Sequence, residues 1–558
     1  MSAASSLGLV PVPRSLELRP GFCELGLGAV VECPEEWAAV GRVAAAWLGK
    51  CLGARFEATT AGASGASADL GPEVPGSLAP GSGTGAGTGG EGGIAVASRS
   101  PREARAAAPS GGPARIRFAA EAGFGAEEYR LEAGESLIEI RASSAAGALA
   151  AASTLWQLAL SQGSALPALI VEDAPRFPWR GAMLDTARNY FPIEFLERFL
   201  DLMALHKLNR FHWHLTDDQA WRLDLAALPE LAARGSRRLD RRFNVPRWKE
   251  GSYSPGEVRR IVSFAAERGI VVVPEIETPG HVTALLASHP ELSCAGAAPG
   301  GLAFEPEDRY GVFEELLCAG NEQVFDLLGR VFDELAELFP GPWVHAGGDE
   351  VPTARWSACP KCRALMRREG LRDEGGALEP ELLQGWFMNR VAALLAERGK
   401  RLVGWDEILE GRVRQDAVVM SWRGMSGGIE AAKAGHEVVM SPQTRSCYLD
   451  HKQLDLPEEP GQLGVCTLRD SYAFDPVPPE LSPEEGSRIL GGQANLWTEL
   501  MYFGRQVEYM AFPRLCALSE VFWSPKEGRG FDDFLGRMEV HGRRLDRLGV
   551  NRYRGAVG

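Results

Sequence analysis

The sequence predicts an α/β protein: a (β/α)8 TIM barrel as the catalytic domain, preceded by a smaller α+β unit. Three observations carry that expectation. From residue 180 onward, eight short apolar runs alternate with helical segments. Acidic, aromatic and imidazole side chains collect just after those runs, where a barrel of this kind keeps its reactive groups. Before residue 175 the rhythm differs, with short strands grouped around two helical stretches. A chain of 558 residues also exceeds what one core usually organises. The expected division is 1–174 and 175–558, with Pro175 and Pro178 marking the boundary.

In the first unit a helix is expected over 35–52. Residues 61–113 follow, rich in Gly, Ala, Ser and Pro and nearly free of large apolar groups, so they lack the surface to offset chain entropy and read as a disordered insertion. Strands at 115–118, 128–131 and 137–141 and an alanine-rich helix over 145–160 complete the unit. The barrel strands are placed at 181–186, 210–215, 270–276, 343–346, 401–405, 417–422, 437–441 and 490–496. The clearest intervening helices are 193–206, 255–268, 321–339 and 382–398. The seventh crossover, 442–488, is long and Pro-rich, so irregular structure is expected there; 519–549 supplies closing helices.

Fifty-nine basic against 74 acidic residues leave a formal charge of -15, which argues against nucleic acid or an anionic membrane as partner and suits a neutral substrate. Nothing in the sequence has the length of apolar run that crosses a bilayer, about 18 residues. The opening residues lack a basic region followed by an apolar one, so the expected compartment is the cytoplasm. Ten cysteines are too sparse for a disulfide scaffold. Cys359 and Cys362 form Cys-Pro-Lys-Cys, while Cys294 and Cys318 lie in the preceding connection. A structural zinc held by these four, free thiols and a disulfide all stay open; no catalytic cofactor is expected.

Residues 343–351 read Trp-Val-His-Ala-Gly-Gly-Asp-Glu-Val, an apolar strand running through two glycines into Asp349 and Glu350. Two adjacent ionised groups at a strand end need a partner or a reaction to justify burial. Other expected strand ends add Asp217 and Asp218, Glu275, Glu277 and His281, Asp406 and Glu407, and Glu499. Trp405, Trp422 and Trp497, with Tyr448 and Asp450 after strand seven, complete an aromatic and acidic rim. Flat apolar faces interleaved with hydroxyl-binding carboxylates fit a sugar. Glycoside hydrolysis normally sets two carboxyl groups across the scissile bond, about 5 to 10 Å apart, which neighbours in sequence do not easily do. One of the pair then acts as acid, and the other assists a nucleophile belonging to the substrate, such as a 2-acetamido carbonyl oxygen.

Eight ordered motifs carry a family resemblance: Phe177-Pro-Trp-Arg-Gly-Ala-Met-Leu-Asp-Thr-Ala-Arg, Lys207-Leu-Asn-Arg-Phe-His-Trp-His-Leu-Thr-Asp-Asp-Gln, Pro274-Glu-Ile-Glu-Thr-Pro-Gly-His, His345-Ala-Gly-Gly-Asp-Glu-Val, Gly404-Trp-Asp-Glu, Ser421-Trp-Arg-Gly, Tyr448-Leu-Asp and Asn495-Leu-Trp-Thr-Glu. Over about 176–523 the chain resembles family 20 glycoside hydrolases, the β-N-acetylhexosaminidases, and its first unit resembles their accessory α+β domain. The resemblance implies a retaining, exo-acting enzyme that removes terminal N-acetylglucosamine or N-acetylgalactosamine from oligosaccharides or glycoconjugates through an oxazolinium ion. It implies Glu350 as acid then base, with Asp349 ionised and steering the acetamido group. His281 and Asp217 would form a relay behind Glu350. Tyr448 would bond the acetamido oxygen, Trp405, Trp422 and Trp497 would enclose the sugar, and Arg180, Asp450 and Glu499 would hold its hydroxyls.

Arg180 stands at the start of its strand, a place the barrel rule does not select, so it rests on the resemblance alone. Asn189 and Glu277 depart from the family's frequent His and Asp. One rival is a metal-dependent amidohydrolase, because His212 and His214 point to the same side of a strand. A sugar-binding protein without turnover is another, and a lacto-N-biosidase-like release of a disaccharide is a third.

Overall fold

The computed structural model describes residues 6–26, 29–60, 114–242, 245–295 and 303–555. The insertion expected at 61–113 lies outside them. The first unit is a seven-stranded sheet of β1 (Ser15–Glu24), β2 (Val30–Cys33), β3 (Glu57–Thr60), β4 (Arg115–Ala120), β5 (Tyr129–Ala133), β6 (Leu137–Ala142) and β7 (Ala165–Asp173), in spatial order β1-β7-β5-β6-β4-β2-β3. Alternation of buried and half-exposed residues along β5 and β6 shows a sheet with one packed face. Against it lie α1 (Ala38–Leu52) and α2 (Ala145–Gln162), joined by Trp47 stacked on Trp156 at 4.5 Å. Ser144 caps α2, accepting from the Gly147 amide. This helix is buried on nearly every side because its alanines sit between the sheet and the barrel.

Four strands, β1, β2, β3 and β7, escape the sequence pattern. β1 is an exposed edge whose register slips between Leu18 and Phe22, across Pro20 and Gly21, so no clean alternation survives. Pro167 interrupts β7, and β2 and β3 span only four residues each.

The second unit is a closed parallel barrel of β8 (Trp179–Asp185), β9 (Arg210–His214), β10 (Val271–Thr278), β11 (Trp343–Gly347), β12 (Arg401–Trp405), β13 (Val418–Ser421), β14 (Glu437–Met440) and β15 (Ile489–Leu496). Each pairs with its successor, and β15 closes on β8 from Gly491–Trp179 to Leu496–Leu184. All eight expected strands are present, with helices Ile193–Leu205, Pro255–Ala266, Glu322–Leu338 and Pro380–Ala396 between them. The seventh crossover holds only two short strands, His451–Lys452 and Gln462–Val465, and two short helices, Leu468–Ala473 and Pro483–Gly486. Among the described residues no helix is long and apolar enough to cross a membrane.

The units share one apolar core. Buried polar links stitch the same boundary: the Lys207 ammonium lies 2.7 Å from Asp173, which also accepts from the Trp523 indole at 2.9 Å. From the C-terminal helix Phe531–Arg547, Arg544 donates to the Gln157 carbonyl at 2.7 Å and Arg537 to the Leu9 carbonyl at 2.9 Å.

Candidate active site

β11 delivers the acidic pair. Its last residue, Gly347, and Gly348 have φ of 68° and 96°, and Glu350 follows at 50°. A side chain at Gly347 would strike the Glu277 carboxylate, and one at Gly348 would meet Ile408 Cγ2 at 2.6 Å, so both positions need glycine for space as well as conformation. This left-handed turn sends the two neighbouring carboxylates to different places. Asp349 packs inward with its side chain 12% exposed, while Glu350 stands at the mouth with 38%.

His281, itself at φ 51°, sits beside both. Its Nε2 is 3.4 Å from Glu350 Oε2 and 3.7 Å from Asp349 Oδ2. Behind it, Nδ1 hydrogen-bonds Asp218 Oδ2 at 2.9 Å, whereas Asp217 Oδ1 is 3.6 Å away. The relay partner placed by the structure is therefore Asp218, not Asp217. Asp218 is anchored by Thr283, whose amide and hydroxyl both donate to Oδ1. Asp217 is committed elsewhere, its Oδ2 lying 2.9 Å from His214 Nε2 and 2.8 Å from Arg188 Nη2. Burial alone would raise Asp217, but Arg188, His281 and His214 hold it down to about 2. Burial would likewise lower His281, yet Asp217, Asp218 and Glu350 keep it well above the ordinary histidine range and so protonated.

Burial raises Asp349 to about 6, opposed by His281 and reinforced by Glu275 and Glu350. At that value the carboxyl is still mostly ionised at pH 7, but it takes up a proton far more readily than an ordinary aspartate as pH falls towards 6. Glu277, beneath it, is pushed well up by burial and by Asp349, and neither of its oxygens has a hydrogen-bond partner among the described residues.

Four aromatic rings make the wall. Trp405 and Trp497 lie 5.9 Å apart, Trp422 and Tyr448 stack at 6.3 Å with planes 13° apart, and Tyr448 is 6.4 Å from Trp497. The Trp405 indole donates to Glu275 at 2.9 Å and that of Trp422 to Glu407 at 2.9 Å, which pins both rings in place. Burial keeps the Tyr448 phenol neutral, its pKa raised well above the ordinary value. Three acidic oxygens, Asp349 Oδ1, Asp450 Oδ1 and Glu499 Oε2, are buried without a hydrogen-bond partner among the described residues. Burial shifts Asp450 and Glu499 upward, with Arg188 opposing the shift at Glu499. Unpaired buried acceptors of this kind suit a ligand bearing hydroxyl or amide protons.

Arg180 is not among these groups. It is the second residue of β8, at the opposite end of the barrel from the rim. Its guanidinium pairs with Glu127 of the first unit and donates to the carbonyls of Lys207 and Phe177, both at 2.8 Å. The arginine at the rim is Arg188, just past the carboxyl end of β8: it lies over the Trp497 ring at 5.1 Å, donates to Gln219 at 2.8 Å, and leaves Nη1 without a hydrogen-bond partner. Arg188 closes the same motif that contains Arg180, and the strand-end rule points to it.

Inside the barrel Glu275 is a hub. Its Oε1 lies 2.7 Å from His345 Nδ1, and its Oε2 lies 2.9 Å from His212 Nε2 and 2.5 Å from His214 Nδ1. Burial opposes ionisation of Glu275, but the three imidazoles outweigh it and hold the carboxyl well below the usual range. Both ring nitrogens of His214 face carboxylates, which raise its pKa to about 10 against the effect of burial. Protonated at both nitrogens, His214 offers no lone pair, whereas burial lowers His212 to about 4 and leaves it neutral; both rings are tied to Glu275 in the barrel core. Separately, the sulfurs of Cys294, Cys318, Cys359 and Cys362 converge to within 4.8 Å of one another.

At the carboxyl rim of a closed parallel barrel an Asp-Glu pair thus meets an aromatic wall, which is where an α/β-barrel enzyme keeps its active site. Comparison with known proteins agrees. The model for "Glycosyl hydrolase family 20, catalytic domain" matches residues 177–526, and that for "Glycosyl hydrolase family 20, domain 2" matches 6–174. The chain belongs to glycosyl hydrolase family 20. It is 41% identical over 435 residues to a β-hexosaminidase of Porphyromonas gingivalis, covering 76% of this chain and 54% of that one. It is 37% identical to a β-hexosaminidase of Vibrio furnissii, covering 70% and 64%. The chain therefore spans less than two thirds of either relative's length. Among solved structures it is similar to the exo-β-N-acetylglucosaminidase of Vibrio harveyi in complex with N-acetylglucosamine, with a TM-score of 0.80, 28% identity, and coverage of 98% of this chain and 78% of that one.

Proposed function

We propose that the chain is a retaining exo-β-N-acetylhexosaminidase that uses the substrate's own acetamido group as nucleophile. The observation that carries this reading is the split of the acidic pair: Asp349 turned inward with an unpaired Oδ1 beside the aromatic wall, Glu350 turned to the mouth, and His281 between them. A carboxylate at the depth of Asp349 is placed to accept the acetamido N–H, and one at the height of Glu350 to reach the glycosidic oxygen.

The reaction follows from those positions. Glu350 gives its proton to the leaving oxygen as the C1–O bond breaks, and the acetamido carbonyl oxygen attacks C1 to form an oxazolinium ring. Asp349 takes up the acetamido N–H and stabilises the positive charge, which favours its ionised form once substrate is bound. Tyr448, kept neutral, donates to the acetamido oxygen and aligns it. Water then adds at C1 on the face the leaving group vacated, with Glu350 as base, so two inversions give retention. Protonated His281, held by Asp218, orients Glu350. Trp405, Trp422 and Trp497 enclose the ring, and Arg188, Asp450 and Glu499 take its hydroxyls.

Matched p-nitrophenyl glycosides of N-acetylglucosamine, N-acetylgalactosamine and glucose test this directly. The reading requires rapid hydrolysis of the first or second, negligible hydrolysis of the third, and strong competitive inhibition by a sugar thiazoline. Equal rates with the glucoside would refute it. A disaccharide-releasing activity draws on one feature, a cavity of about 230 Å³ lined by Asp450, Trp497, Leu500, Met501 and Tyr509. Release of an intact disaccharide from p-nitrophenyl lacto-N-bioside, with the monosaccharide glycosides inert, would favour that reading.

A further inference from the structure

We propose that Cys294, Cys318, Cys359 and Cys362 form a structural tetrathiolate site for one zinc ion, clamping the loop that carries His281 to the loop that carries Glu350. Three of the four are buried and Cys294 is half-buried. Sulfur separations are 3.7 Å for Cys294 to Cys362, 3.7 Å for Cys318 to Cys359 and 3.6 Å for Cys318 to Cys362. A zinc ion bonded to four sulfurs at about 2.3 Å spaces them about 3.8 Å apart along the edges of a tetrahedron, close to these separations. A disulfide would need about 2.05 Å, and the near-equal distances from Cys318 to two partners fit a shared centre better than a pairwise bond.

The surrounding backbone is shaped for the same purpose. Gly320 lies so near the Cys-Pro-Lys-Cys turn that a Cβ on it would meet the Lys361 carbonyl carbon at 2.4 Å and the Cys362 amide nitrogen at 2.7 Å. That closeness packs the segment after Cys318 directly against the turn that carries Cys359 and Cys362. Each thiol releases its proton to solvent on binding, and four thiolates around a divalent ion carry two net negative charges.

The clamp acts at a short distance from the rim. The Leu317 amide donates to the Pro279 carbonyl at 2.9 Å, two residues before His281, and the Cys318 amide donates to Leu292 at 2.8 Å. From the other loop, the Trp356 indole donates to the Leu317 carbonyl at 2.9 Å, six residues after Glu350. None of this depends on the glycosidase reading.

The test uses the full chain without an affinity tag, expressed in zinc-supplemented medium and purified without chelator. Elemental analysis is expected to find one zinc per chain, and denatured protein with EDTA should titrate all ten thiols. Cobalt added to metal-stripped protein should give the visible bands of tetrahedral cobalt thiolate. The double variant Cys318→Ser with Cys362→Ser should lose metal about tenfold and melt at lower temperature. Hydrogen exchange in the segments around His281 and Glu350 should then rise. A folded wild-type chain without metal, four fewer thiols than ten, or a metal content unchanged in the double variant would each overturn the proposal. If that variant fails to fold, wild-type stoichiometry and the cobalt spectrum decide.

Discussion

Asp349 and Glu350 differ by one position in sequence and by almost everything in environment. A Glu350→Gln substitution removes the transferable proton while keeping size, so kcat with p-nitrophenyl N-acetylglucosaminide should fall about 10³-fold and KM should change little. Asp349 supplies the pH dependence. With its carboxyl raised to about 6 in the free protein, kcat/KM should decline as pH falls through that value, because the protonated form cannot stabilise the oxazolinium charge. The same shift governs stability in the opposite sense. A carboxyl whose folded pKa exceeds its unfolded value of 3.8 binds its proton more tightly in the folded state, so stability falls as pH rises from about 4 to 6 and stays lowered above. Asp349→Asn should therefore raise Tm at pH 7, by about 3 kcal/mol of stability, with the gain vanishing near pH 4 while activity is lost at both. A Tm gain that does not shrink at low pH would contradict the assignment.

At the scale of single elements, β8 and the turn after it carry two arginines with opposite destinies. Arg180, at its amino end, joins the barrel to Glu127 of the first unit and is 1% exposed, so Arg180→Ala should destabilise the fold by about 3 kcal/mol and leave kcat/KM within about twofold of wild type. Arg188, past its carboxyl end, lies over the Trp497 ring and opposes the upward shift of Glu499. Arg188→Ala should lower kcat/KM by roughly thirtyfold, the loss of a charged hydrogen bond worth about 2 kcal/mol, on top of any loosening of Asp217. Melting curves and Michaelis parameters on the two variants separate the roles; the reverse pattern would restore Arg180 to the site. Both residues lie in one motif, and the resemblance alone puts Arg180, not Arg188, on the sugar. The direction of the strand decides the other way, because side chains near opposite ends of β8 open on opposite faces of the barrel.

Across the whole molecule, the accessory sheet and the barrel bury one continuous core, tied by Lys207 to Asp173, Arg544 to Gln157 and Arg537 to Leu9. Two units bonded in this way should unfold together. Calorimetry is expected to show one transition, and a chain beginning at residue 175 should aggregate, since it would expose the face now covered by α2; two separated transitions would refute this. The barrel itself was legible because its strands are short and largely apolar and most of its long helices are amphipathic, so periodicity survives in one dimension. β1 and β7 were not, because a register slip and a proline erase the alternation that identifies a strand.

The chemistry at the rim was written locally as well: Gly-Gly-Asp-Glu, the strand-end tryptophans and Tyr448 are all recoverable from the residues that follow each apolar run. What the fold alone decided is which of two adjacent candidates does what. Asp217 and Asp218 are indistinguishable as sequence neighbours, yet one turns to Arg188 and His214 and the other to His281, because successive residues at a strand end face different surroundings. The inward turn of Asp349, the protonated state of His281 and the meeting of four cysteines from two loops have the same origin. Each depends on distances between segments far apart in the chain, and on the low polarizability of the interior in which those charges are held.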